Sequence, residues 1–133
     1  MAGHIFLAEA IVMPDWLMAI DLHGLTVDQA VEQAEIAVYD AREQPRRFKA
    51  IKFIHANGEG PRIISALRDR LDLLLSVGMI TMWLTGNEWN IYNFWLRKRL
   101  ATVQSTGGGF SLAADPDYNR DNPGITVAAW RAA

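Results

Sequence analysis

With 133 residues, 50% of them apolar and 21% charged, the chain can bury one hydrophobic core and is too short for two domains of ordinary size, so residues 1–133 read as a single domain. The absence of cysteine excludes disulfides, thiolate metal sites and a thiol nucleophile, and suits a reducing cytoplasm. A net charge of −2 gives no overall pull toward nucleic acid, but the charges are unevenly placed. Residues 1–41 carry Glu9, Asp15, Asp21, Asp28, Glu32, Glu35 and Asp40 with no Lys or Arg, whereas 42–70 carry Arg42, Arg46, Arg47, Lys49, Lys52, Arg62, Arg68 and Arg70 against Glu43, Glu59 and Asp69. A basic middle therefore follows an acidic front.

The apolar start, residues 5–20, is interrupted by Glu9, Pro14 and Asp15 and has no basic residue before it. It fits neither a secretion signal nor a membrane span, and residues 1–17 read as an N-terminal extension that joins the core. Residues 16–22 predict a short strand that delivers Asp21 and His23 to a turn at Gly24. Thr26-Val27-Asp28-Gln29 is a capping box, in which the Thr hydroxyl accepts the Gln29 backbone N–H and the Gln side chain returns the bond. Apolar residues at 27, 30, 31, 34, 37, 38 and 41 then mark one buried helical face, and Pro45 stops the helix near Gln44.

Residues 49–55 predict the second strand, with Ile51, Phe53 and His55 on one face and Ala50, Lys52 and Ile54 on the other. It ends at His55-Ala56-Asn57-Gly58-Glu59-Gly60. Pro61 suits the first position of a second helix, whose apolar face runs through Ile63, Ile64, Leu67, Leu71, Leu74 and Leu75 to a cap at Gly78. A third strand is expected over 80–84, a turn at Gly86-Asn87, an aromatic-rich helix over about 88–104, loops at 106–109 and 115–124, and a last strand over 125–130. Strand–helix–strand–helix order with short loops argues for an α/β sheet with helices packed on it. Both strand-to-helix loops then share the rim at the strands' carboxyl ends, where ligands of such sheets bind.

The chemistry available at that rim is limited and specific. The glycines before a helix N-terminus allow close backbone approach to an anion, although the same two glycines also suit a tight turn alone. Asp21 and His23 lie two residues apart, so in extended backbone their side chains project to the same side. A carboxylate beside an imidazole favours and orients its charged form, which suits proton transfer during attack on a phosphodiester. The plainer alternative is that Asp21 bonds backbone N–H groups of the turn and His23 is a packing residue. His55 adds a second imidazole, but three histidines without clustered spacing imply no metal or other cofactor, with a divalent ion's participation left open.

Ile20-Asp21-Leu22-His23-Gly24 resembles the Leu-Asp-Leu-His-Gly signature of Smr domains, the small MutS-related family. Residues 54–60 are similar to that family's His-Gly-Lys-Gly-Thr-Gly pattern, and Gly124-Ile125-Thr126-Val127-Ala128 to its last strand. The resemblance covers roughly residues 18–80 and the tail. It implies a two-layer sandwich of a four-stranded mixed sheet and two helices, like the C-terminal domain of bacterial translation initiation factor three, and DNA- or RNA-nicking activity. By the same resemblance Asp21 and His23 are catalytic, and His55, Asn57, Gly58 and Gly60 hold the nucleic-acid backbone. The bases Lys52, Arg62, Arg46 and Arg47 would add phosphate contacts. The chain departs from the pattern at Ala56 for a glycine, Asn57 for a basic residue, and Glu59, whose charge opposes a phosphate. About 85–109, with Trp89, Phe94 and Trp95, is a helical insertion relative to the family. It serves either core packing or self-association through the 88–104 helix. Arg97-Lys98-Arg99 reads as a solvated basic face or a nucleic-acid contact. The expectation is a nucleic-acid-binding, nicking domain with no membrane partner; the alternative is a binding or assembly module that has lost the chemistry.

Overall fold

The computed structural model describes residues 16–44, 47–55, 61–90 and 115–130. Among these residues four strands, β1 (Leu17–Asp21), β2 (Ala50–Ile54), β3 (Met82–Thr85) and β4 (Ile125–Ala129), and two helices, α1 (Val27–Arg42) and α2 (Pro61–Ser76), follow the order β1-α1-β2-α2-β3-β4. The sheet order is β1-β2-β4-β3. β1 runs parallel to β2, and β4 antiparallel to both β2 and β3, so the three strands β1, β2 and β3 point one way and β4 the other. This is the expected α/β arrangement, a mixed four-stranded sheet with two helices.

Both helices form as their sequences dictate. The Thr26 hydroxyl accepts the Gln29 N–H at 3.2 Å and the Gln29 side chain accepts the Thr26 N–H at 3.1 Å, satisfying two donors that an uncapped helix start leaves open. α1 buries Ala30, Ala34, Ala37, Val38 and Ala41, a stripe of small side chains that lets its backbone lie close to the sheet. α2 buries Ile63, Leu67, Leu71 and Leu74. It closes with the Gly78 N–H on the Leu75 carbonyl at 3.2 Å and the Met79 N–H on the Leu74 carbonyl at 2.9 Å, the paired bonds of a Schellman cap. The end of α1 is tied to the same corner, where Arg42 Nη1 donates to the Met79 carbonyl at 2.7 Å.

The sheet separates two clusters. Ile20, Ile51, Phe53 and Ala128 join the helices; Leu17, Ala50, Leu84, Ile125, Val127 and Ala129 form the other cluster with Trp16 and Trp89. The helix expected from residue 88 does not begin there: Glu88, Trp89 and Asn90 form a turn, with Glu88 Oε1 accepting the Thr85 N–H at 2.9 Å. The rest of that expected helix, with Phe94, Trp95 and the basic run 97–99, lies outside the described residues. Trp89 packs wholly inside, tilted on Trp16 and edge-on to Tyr118. Among the described residues no helix is long and apolar enough to cross a membrane.

Candidate functional site

Parallel pairing of β1 and β2 fixes which groups can meet. Asp21 ends β1 opposite Ile54 at the end of β2, and Ile54 in turn faces Ile125 at the start of β4. Thr85, at the end of β3, faces Thr126. One rim therefore gathers the β1–α1 turn, the exit of β2, the exit of β3 and the entrance to β4. The Leu22 N–H continues the ladder onto the Ile54 carbonyl at 2.7 Å, and the His55 N–H bonds the Gly124 carbonyl at 3.0 Å.

In the β1–α1 turn, Asp21 Oδ1 accepts the backbone N–H of His23 at 2.9 Å, and Gly24 takes φ +81°, a left-handed conformation natural to glycine. The carboxylate thus fixes the loop that carries the imidazole, which is the plainer role open to it in the sequence. It does so at the surface: Asp21 is half-buried and His23 exposed. His23 is not a packing residue.

His55 is the opposite case. Its side chain is buried, and Nε2 shares a 2.9 Å hydrogen bond with Thr126 Oγ1. The ring ties β2 to β4 beneath the rim, and a ligand at the surface would meet it only indirectly. Arg62 lies exposed in the first turn of α2, at the end of the helix that opens onto the rim. Asn57, Gly58 and Gly60, with Ala56 and Glu59, lie outside the described residues, as does Arg46.

Two expected phosphate contacts are placed elsewhere. Lys52 points to the sheet face opposite α1 and α2 and is fully buried, with Nζ 2.7 Å from Asp115 Oδ1 and 2.5 Å from Asp117 Oδ2. An ammonium neutralised by two carboxylates inside the protein has no charge to offer a phosphate. Arg47 precedes β2, whereas Asp21 and His23 close β1, so parallel pairing sends them to opposite ends of the sheet. Exposed at that far end, its guanidinium stacks 4.6 Å from the Phe48 ring centroid.

The Lys52 cluster is the part of this region that the motifs did not reveal. Asp115 Oδ2 accepts Trp89 Nε1 at 2.7 Å, Asp117 Oδ1 accepts Asn122 Nδ2 at 3.0 Å, and Asn122 Oδ1 accepts the Gly124 N–H at 2.8 Å. Burial pulls the Asp117 carboxyl upward, but bonds from Lys52 and Asn122 outweigh it and hold it below the usual carboxylate range. The strand pattern carried half of the signal: a lysine between Ala50 and Ile54 on an apolar face needs a buried acid, but the pattern does not say which one. Among the described residues no group of three or more His, Asp or Glu is arranged to hold a metal ion.

No protein-family model matches the chain, and no curated protein does. Among solved structures, the Smr domain of Thermus thermophilus MutS2 is similar over 86% of this chain and 98% of that chain, at 21% sequence identity and a TM-score of 0.47.

Proposed function

We propose that the chain binds the sugar–phosphate backbone of a nucleic acid at the rim formed by the β1–α1 turn and the start of α2, and nicks it with His23 as the proton-transfer group. The observation that carries this reading is the exposed imidazole on a turn locked by Asp21, at the same rim as a helix whose first turn holds Arg62 and no acid. α2 presents the positive end of its dipole and the Arg62 guanidinium to the same rim, both favourable to a phosphate. α1 supports this less, because its own cap occupies its first donors and Asp28 stands in its first turn. The letter-for-letter match of Asp21-Leu22-His23-Gly24 to the Smr signature points to the same chemistry. In that role His23 takes a proton from the attacking water or returns one to the leaving oxygen, while Asp21 holds the turn.

The test is retention and nicking of single- and double-stranded DNA and RNA at low salt, with and without chelator, by the wild type and by His23→Ala, Asp21→Asn and Asp21→Ala. Nicking lost in His23→Ala with binding kept supports the reading. Asp21→Asn keeps an oxygen for the His23 N–H, so it separates turn-holding from charge: near-normal nicking assigns Asp21 to the turn. Absence of both retention and nicking in the wild type overturns the proposal.

A second reading, a binding or assembly module without catalysis, is favoured by the outer helix surface, where Ile36, Tyr39, Leu73 and Val77 are exposed. Phosphate-driven binding falls steeply with salt, and an apolar protein contact hardly changes.

A further inference from the structure

The two sides of the rim differ in charge. On the helix side, a hollow of about 440 Å³ between α1 and α2 is lined by Asp28, Glu32, Glu35 and Asp69. Arg70 there is committed to Glu35 at 2.7 Å. A polyanion at the rim is repelled from this side below Arg62. The opposite side is formed by residues 115–124, the segment that Lys52 clamps to the sheet face opposite α1 and α2.

That segment is held from several directions. Asp115 and Asp117 anchor it to Lys52 and Trp89, and the Asn119 N–H bonds the Trp89 carbonyl at 2.8 Å. A Cβ added at Gly86 would fall 1.6 Å from the Asn122 carbonyl oxygen, so the β3 exit and this segment are in direct backbone contact. Asn119 and Asp121 adopt φ +67° and +53°, a region that Asn and Asp tolerate better than other non-glycine residues. Between them stands Arg120, with its backbone N–H on the Asp117 carbonyl at 3.2 Å and its side chain exposed. Its guanidinium makes no hydrogen bond or ion pair among the described residues. Such a residue on a pinned loop loses little backbone freedom when it engages a ligand.

We propose that Arg120 is a backbone-phosphate contact on the side of the rim away from α1 and α2, so that a nucleic-acid strand lies across the sheet end between Arg62 and Arg120. This rests on the nucleic-acid reading above. The register supports the geometry: Asp21, Ile54 and Ile125 form one row, which at strand spacing puts β4 roughly 10 Å from the β1–α1 turn. Arg120 precedes β4 by a short stretch of chain, so the strand would contact it while passing His23. The exposed acid beside it, Asp121, opposes the strand and tunes the affinity downward.

The experiment measures affinity for a fluorescent single-stranded oligonucleotide of mixed sequence against salt concentration, for the full chain and for Arg120→Ala, Arg120→Lys, Arg62→Ala, Arg47→Ala and Asp121→Asn. Losing one phosphate contact lowers the slope of log affinity against log salt by about 0.7. That loss is expected for Arg120→Ala and Arg62→Ala. Arg47→Ala, at the far end of the sheet, keeps the wild-type slope. Arg120→Lys restores most of the slope, Asp121→Asn binds more tightly, and thermal midpoints of the Arg120 variants match the wild type. If Arg62→Ala weakens binding while Arg120→Ala does not, the Arg120 contact is wrong and the nucleic-acid reading survives. If the wild type binds no oligonucleotide at low salt, both fall.

Discussion

Lys52 and Phe53 are consecutive in β2, both fully buried, and face opposite sides of one sheet. Phe53 joins a continuous apolar layer beneath α1 and α2. Lys52 reaches two acids 63 and 65 residues away. The helix face is held by many interchangeable contacts, each of modest worth. The loop face adds to its apolar cluster a charge pair, Lys52 and Asp115, and removing Lys52 alone leaves the Asp115 charge unpaired in a low-dielectric interior. One strand thus serves two kinds of packing, and they should fail differently.

The largest effects separate the two faces directly. Phe53→Ala is expected to cost about 3–5 kcal/mol by opening a cavity, with no rescue from any change of charge. Lys52→Met is expected to cost a similar amount, about 3–5 kcal/mol, by stranding Asp115. Adding Asp115→Asn should recover the larger part of that second loss, because the amide keeps an oxygen for Trp89 Nε1 and carries no charge. Urea unfolding of the single and double variants measures the coupling; additive losses in the Lys52–Asp115 pair would break the comparison.

A smaller effect tests the helix side. Thr26→Ala removes the α1 cap and should cost about 1 kcal/mol, leaving the Lys52 cluster untouched, as the unfolding midpoint will report. The smallest effect concerns acid. Asp117 titrates lower in the folded chain than when unfolded, so its contribution is complete above the usual aspartate pKa of about 3.9. It fades as pH falls below that value toward the lowered folded pKa, because the unfolded carboxyl takes up a proton first. Asp117→Asn should remove that part of the acid sensitivity, seen as a shallower loss of stability on acid titration.

The same contrast explains what could be read from the residues alone. Thr26, Gln29, Pro61 and Gly78 act on neighbours within one turn of chain, and the apolar spacing of α1 and α2 is a local pattern, so the helices and the strands they follow were legible. Asp21 and His23 were legible for the same reason, as members of one short turn. The Lys52 partnership was not, because strand alternation gives a side chain its face and says nothing of which distant acid meets it. Arg47 shows a second limit: closeness in sequence to a motif is no guide to closeness in space when parallel strands intervene. The parallel order itself, already implied by the helix between the strands, was enough to send Arg47 to the far end.

The proposed site requires a nucleic-acid strand to lie on the rim between α2 and the loop entering β4. Backbone amide shifts recorded while a single-stranded oligonucleotide is titrated into the labelled chain test it most directly. Shifts should concentrate at 22–26, at His55, at the start of α2 around Arg62, and at 119–124. Shifts confined to the outer helix surface around Tyr39 and Leu73, or none at saturating oligonucleotide, would contradict it.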